Sequence, residues 1–392
     1  MKQLLSIILL LSSLNSKAQN DANDNTMPFV YHGHIYLHTT INDSVRVNTV
    51  FDTGADNIFG IDSVALLQSA WHPQKVGKAR AGGAAGSTMV RVIADGTKVQ
   101  MGNVVQQYQI VPIFKLRDVV DRHADGIWGI KDISKYPLEI NFEKQYLKQY
   151  TNTVPITEGY QQLPIKYQND KIMLQAEVQL GGKKISGWYM MDTGSGGSVT
   201  FTSRAVADFA LDKIEGKRYL ADMAQPGIGD KTMETSVEMM SDHILIGTDT
   251  IRYTDIEYVP EGVGAFGSRP YLGIIGNDVW DKFNIIIDAK NQMLYLRRHK
   301  SDEPIGKKYG YSWRNRTDIC RGWVVHYMNR SSEAHEAGVE IGDTIIVING
   351  RDVRDYTWDE EYALSKAPRH ELDIVTPQGQ KKHVILEAKE YW

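Results

Sequence analysis

Apolar residues along this chain fall into short runs, either alternating with polar ones or unbroken over a few positions. Each run is closed by turn residues, which is the signature of strands. Residues 34–38 (HIYLH) and 173–180 (MLQAEVQL) behave this way, and Asn42-Asp43 and Gly181-Gly182 follow them as turns. Residues 285–287 (III) read as a buried strand, with 293–296 (MLYL) as its hairpin partner across Ala289-Lys290-Asn291. Helical periodicity is confined to short stretches near 62–67, 203–211 and 277–282. The pattern predicts a mainly β protein with few, short helices.

The N-terminus follows a different rule. Met1-Lys2-Gln3 is a short basic start, residues 4–14 are apolar apart from serines, and Ser16-Lys17-Ala18 has the small residues of a cleavage site. This predicts a signal peptide over residues 1–18, cut after Ala18. The apolar run is too short to cross about 30 Å of hydrocarbon as a helix. No later stretch is long and apolar enough to span, so the expectation is a secreted or periplasmic chain with no membrane span after processing.

The chain also repeats itself. Asp52-Thr53-Gly54 returns as Asp192-Thr193-Gly194, each after an apolar pair, Val50-Phe51 and Met190-Met191. Further on, Gly126-Ile127-Trp128-Gly129 returns as Gly273-Ile274-Ile275-Gly276, and residues 135–141 stay in step with 282–288. Two blocks recurring in the same order predict two homologous lobes, residues 27–155 and 156–299.

An aspartate on a loop is ordinarily a solvated or capping residue. Two aspartates on equivalent loops of pseudo-symmetric lobes are brought together by the symmetry. Carboxyls about 3 Å apart cannot both ionise, so they share a proton. One ionised and one protonated carboxyl suffice to activate a water and protonate a carbonyl. Gly54 and Gly194 let the backbone approach the carboxylates, and the Thr53 and Thr193 hydroxyls can bond across to the opposite loop.

On these residues the chain resembles the pepsin and retroviral-protease clan of aspartic proteases. The matching segments are Phe51-Asp52-Thr53-Gly54-Ala55 and Met191-Asp192-Thr193-Gly194-Ser195, each with its downstream apolar-apolar-Gly element. The resemblance implies a bilobal acid-protease β-barrel-like fold, Asp52 and Asp192 as catalytic dyad, and Thr53, Gly54, Thr193 and Gly194 as its supports. It implies glycine-hinged flaps over the substrate, assigned to Gly82, Gly83 and Gly86 in the first lobe and to Gly227 and Gly229 in the second. The substrate would be a peptide or protein, and one chain would suffice for the active site. Ala55 in the first loop and Ser195 in the second point to an acidic to mildly acidic optimum, because a hydroxyl at position 195 can stabilise an ionised dyad.

A charged run, residues 297–304, ends in Pro304 and reads as a linker. Beyond it, a strand over 322–328 precedes Ser332-Glu333-Ala334-His335-Glu336-Ala337-Gly338, Gly342-Asp343, an apolar strand and Asn349-Gly350. Residues 305–390 thereby resemble a bacterial PDZ domain, a small α+β unit. The resemblance implies capture of a C-terminal peptide at Tyr309, Gly310, Tyr311 and Ser312, beside a helix over 358–365. The other reading of the same residues is a unit that packs on the lobes with its groove closed.

Charge and composition narrow the remaining classes. Lys plus Arg number 44 against 48 Asp plus Glu, a net charge of −4. Phosphate binding requires a positive surplus, so nucleic acid is not an expected partner. The one cysteine, Cys320, excludes an internal disulfide and a Cys-rich zinc site. His32, His34 and His38 have no carboxylate spaced as a fourth ligand, and no metal or cofactor is expected. Gly227-Ile228-Gly229-Asp230-Lys231-Thr232 lacks the Gly-Lys pair of a phosphate loop. The expectation is an exported aspartic endopeptidase whose third unit assists recognition. The alternative is a catalytically silent peptide-binding or adaptor protein that uses the lobe cleft or the third unit's groove.

Overall fold

The computed structural model describes residues 25–56, 58–130, 135–151, 153–154, 157–306 and 308–392. The signal segment 1–18 and the lobe junction at 155/156 lie outside the described residues. The described residues are mainly β, with short helices only.

Each half is organised around one hairpin. Strand β1 (Ile35–Ile41) turns into β2 (Val45–Phe51), and β3 (Lys171–Leu180) turns into β4 (Lys183–Met191). The turns carry positive φ at two successive residues, Asn42 and Asp43 in the first and Gly181 and Gly182 in the second. The first turn has three residues, Asn42 to Ser44, and the second two; tight turns of this kind match the twist of the flanking strands and fix their register. The register carries Phe51 and Met191 fully into the interior, and an aspartate follows each.

The halves are joined by a sheet shared between them. Its strands run in the order Thr26–Tyr31, Tyr146–Gln149, Leu138–Asn141, Phe283–Asp288, Met293–Arg298 and Gln161–Gln168. Across the middle, Leu138 faces Ile287 and Ile140 faces Ile285, all buried. One apolar core runs continuously through both halves. The halves are lobes of one body.

The C-terminal unit has a core of its own, built on Trp323, Val325, Ile345, Ile348, Leu372 and Ile374. Its antiparallel strands include β5 (Tyr311–Asn315) and β6 (Trp323–Asn329), and helix α1 (Trp358–Leu364) carries a capping box from Thr357 and Glu360. The unit is not a free appendage. The end of β6 continues into the second half, where Ala221 faces Asn329 and Met223 faces Tyr327.

Candidate active site

The second repeated block explains how both aspartates are held. Gly126–Trp128 runs parallel to β2 and antiparallel to Phe59–Asp62. Gly273–Ile275 does the same beside β4 and Val199–Phe201. The Asp52 N–H donates to the Trp128 carbonyl at 2.9 Å and the Asp192 N–H to the Ile275 carbonyl at 2.9 Å. The glycine that ends each block is required by close approach. A Cβ at Gly129 would lie 1.7 Å from the Asp56 carbonyl oxygen, and one at Gly276 would lie 2.3 Å from that of Gly197.

Both loops meet at the interface of the lobes. The Thr53 N–H donates to Thr193 Oγ1 at 3.0 Å, and the Thr193 N–H donates to Thr53 Oγ1 at 3.0 Å. Each hydroxyl then donates across the interface, Thr53 to the Met191 carbonyl at 3.1 Å and Thr193 to the Phe51 carbonyl at 3.0 Å. Both threonines are fully buried, so all four bonds are made without competing water. This lock places the carboxyls against the opposite glycines. A Cβ at Gly54 would fall 2.5 Å from Asp192 Cγ, and one at Gly194 would fall 2.3 Å from Asp52 Cγ. No side chain larger than hydrogen fits there.

The two carboxyls hydrogen-bond to each other, and their surroundings are unequal. Asp52 Oδ1 accepts N–H bonds from Gly54 at 2.7 Å and Ala55 at 2.9 Å. Asp192 Oδ1 accepts one, from Gly194 at 2.8 Å. Desolvation raises both, and the Asp52 charge raises Asp192 further. Asp192 therefore keeps the shared proton and Asp52 carries the charge. Among the described residues no hydrogen bond joins Ser195 Oγ to either carboxyl, and the stabilisation expected from that hydroxyl comes instead from backbone N–H groups.

The first candidate flap is the hairpin of Val76–Gly83 and Gly86–Ile93, with Ala84 and Ala85 at its tip. The second joins Arg218–Ala224 to Met233–Met240, with Gly227 and Gly229 in the connection. The tips touch. The Ala85 N–H donates to the Ile228 carbonyl and the Lys231 N–H to the Ala85 carbonyl, both at 3.1 Å. Ala81 and Ile228 pack in one apolar cluster with Ala55 and Ile58, which follow Asp52. Gly82 has only loose surroundings, whereas a Cβ at Gly83 would meet the Ile228 carbonyl oxygen at 2.5 Å and one at Gly86 would meet Asp230 Oδ1 at 2.7 Å. A Cβ at Gly227 would meet Ala84, and one at Gly229 would lie 2.1 Å from the Ala85 carbonyl. Gly229→Val is accordingly expected to part the tips. Any peptide-cleaving activity should fall by about 10²-fold, as for other misplacements of this size, while the melting temperature changes little; parallel kinetics and calorimetry check this.

In the C-terminal unit, Tyr309 and Tyr311 are buried and turn inwards. The Tyr309 hydroxyl donates to the Ala367 carbonyl at 2.5 Å, and Tyr311 Oη bonds His370 Nδ1 at 2.8 Å. The Gly310 carbonyl accepts the Asn329 N–H, and Ser312 Oγ bonds His326 Nε2 at 3.2 Å. Both β5 and α1 are in contact with the first lobe. The Arg122 N–H donates to the Asn315 carbonyl at 3.0 Å, and His123 stacks on Trp358 with centroids 4.1 Å apart.

Three residues near these elements had no motif to announce them. Arg314, from β5, bonds the carbonyls of Asp118, Ala224 and Gln225, tying the first lobe to the stem of the second flap. Asn277 Nδ2 bonds the carbonyls of Gly33 and Thr193 at 2.9 and 2.8 Å. Lys171 Nζ bonds the Gly54 carbonyl and pairs with Asp56 at 2.5 Å. Asn277 stands where the first repeat has Ile130, a mismatch that marked a difference between the loops. Lys171 and Arg314 look like ordinary strand residues.

No protein-family model matches the chain. No curated protein matches it. Among solved structures, the chain is similar to the aspartic proteinase from Irpex lacteus, at 12% identity and a TM-score of 0.43, over 71% of this chain and 98% of that one. That likeness is too distant to carry residue roles across.

Proposed function

We propose that this chain is an aspartic endopeptidase, with Asp52 as general base and Asp192 as general acid. The observation that supports it is the reciprocal Thr53–Thr193 lock, which sets two carboxyls face to face on one shared proton. Asp52 takes a proton from a water as the water oxygen bonds the scissile carbonyl carbon. Asp192 gives its proton to the carbonyl oxygen. When the tetrahedral intermediate collapses, the amine leaves with a proton from Asp52 and Asp192 recovers one from the gem-diol. The touching flap tips supply a cover that opens to admit peptide and closes to exclude water. With both half-sites in one chain, a monomer is sufficient, and the leader 1–18 assigns the enzyme to the cell exterior or periplasm.

The C-terminal unit, PDZ-like by its residues 332–350, is assigned the role of holding the second flap. Arg330 grips Asp222 through two bonds of 2.7 Å, the Tyr327 hydroxyl donates to Glu238 at 2.5 Å, and Arg314 caps the flap stem. These contacts favour the closed-groove reading over capture of a free C-terminal peptide at Tyr309–Ser312.

The pH dependence follows from the directions of the two shifts. The active form carries one proton, so it appears as pH rises through the lower step of the pair and vanishes through the upper one. Both carboxyls are raised above the ordinary value of 3.8. Cleavage of a peptide mixture, followed by mass spectrometry between pH 3 and 8, should give a bell with both limbs above pH 3.8. An optimum near pH 2 contradicts the upward shifts of the pair, whereas no cleavage at any pH while peptides still bind contradicts the proposal itself and favours the silent binding protein.

A further inference from the structure

The two half-sites differ in a lysine that reaches one catalytic loop. β1 and β3 are equivalent strands, and their first turns approach the opposite catalytic loops. At the start of β1, His34 hydrogen-bonds the backbone of Gly194, and burial pushes its imidazole down to about 4, so it is neutral. At the start of β3, Lys171 donates to the Gly54 carbonyl, where it is a cation.

The Gly54 carbonyl and the Ala55 N–H belong to one peptide group. Its oxygen accepts from Lys171 Nζ, and its N–H donates to Asp52 Oδ1 at 2.9 Å. A cation at the oxygen end polarises the peptide and strengthens the bond at the N–H end. The other side has no such chain. Asp192 accepts only from Gly194 N–H, and among the described residues no bond from Ser195 N–H reaches it.

We propose that Lys171 is a positioning residue that keeps the charge of the pair on Asp52, acting through the Gly54–Ala55 peptide group. This rests on the endopeptidase reading for its consequence, which is that Asp52 is the base and Asp192 the acid. It does not rest on that reading for its geometry.

Among the described residues, these titratable and charged groups face the pair. Lys171 approaches from β3, with Asp56 as its ion partner. Tyr271 faces Asp192 and is pushed up to about 12, chiefly by burial, so it stays neutral; His34 is neutral as well. Asp170, beside Lys171, is held by the Tyr167 hydroxyl at 2.9 Å. Lys171 is the one cation among these groups, and it favours the ionised form of both carboxyls.

The test compares Lys171→Met, Lys171→Arg and Asp56→Asn in the full chain. Two readouts are taken: the acid limb of kcat/KM for peptide cleavage, and the titration of the Asp52 carboxyl carbon by NMR, assigned with Asp52→Asn. Loss of a nearby opposite charge moves a carboxyl by about 1 unit or more. Lys171→Met should move both readouts up by about that much, Lys171→Arg should restore them, and Asp56→Asn should not raise them. An Asp52 titration that superimposes on wild type in Lys171→Met overturns the proposal, even if the rate falls at every pH, because that is a structural effect. If Asp52 shifts as expected and no variant cleaves peptide, the proton placement stands and the endopeptidase reading falls. If peptide is cleaved with both readouts unmoved, hydrolysis stands and the role of Lys171 falls.

Discussion

Asp52→Asn and Asp192→Asn are each expected to lower peptide cleavage by about 10³-fold or more, with the fold intact. One positioned acid or base contributes about 10²- to 10⁴-fold, and the two carboxyls act as a unit, so either loss removes most of the effect. Asn keeps an oxygen for the N–H groups of Gly54 or Gly194 and fills the same space. It neither takes nor gives a proton. Stability should move the other way. A carboxyl held above its unfolded value favours the folded state at low pH, and that contribution is lost as pH rises past the unfolded value. Asp192 is raised by burial and by the Asp52 charge. Asp192→Asn should therefore melt at or above wild type at pH 7, with the difference vanishing towards pH 4. Melting curves at the two pH values, beside the kinetics, check both halves of the expectation.

Thr53→Ala and Thr193→Ala should cause the largest losses of stability at the site. Each hydroxyl accepts one N–H and donates to one carbonyl across the lobe interface, in a place with no exposure. Removing it strands both partners. An orphaned buried group costs about 1–3 kcal/mol, so each variant should lose about 2–6 kcal/mol. The lock also sets the carboxyl geometry, and activity should fall with it. Thr→Ser at either position keeps the hydroxyl and should recover most of both losses. Denaturant midpoints with an unchanged m-value separate lost stability from a changed folded state.

These effects connect to what the sequence made legible. The hairpins feeding the site were readable because Asn42-Asp43 and Gly181-Gly182 are local turn chemistry at the end of alternating strands. The pairing of Asp52 with Asp192 was readable because the same block occurs twice, and a two-fold relation turns sequence repetition into spatial contact. The glycines 129 and 276 were visible only as repeated letters; their reason, backbone passing within van der Waals distance, appears in three dimensions. What could not be read is contact with no period and no repeat. The ladder between residues 221–223 and 327–329 joins segments about 100 residues apart, as a sheet edge that either segment offers to any strand. Arg314 and Lys171 act by reaching across an interface, and nothing in their neighbours in sequence distinguishes them from solvated strand residues. The hydroxyl of Ser195 shows the opposite failure. Its position in the motif suggested a bond to the dyad, and backbone N–H groups fill that role.

One water, activated between Asp52 and Asp192, is expected to cleave internal peptide bonds. The measurement that tests this most directly is digestion of a diverse peptide library in ¹⁸O-water by the wild-type chain and by Asp52→Asn and Asp192→Asn. Wild type should cut within peptides, each new C-terminal carboxyl should carry one ¹⁸O, and both variants should leave the library whole. Cleavage that survives both substitutions, or a library left intact by wild type across the whole pH range, contradicts the claim.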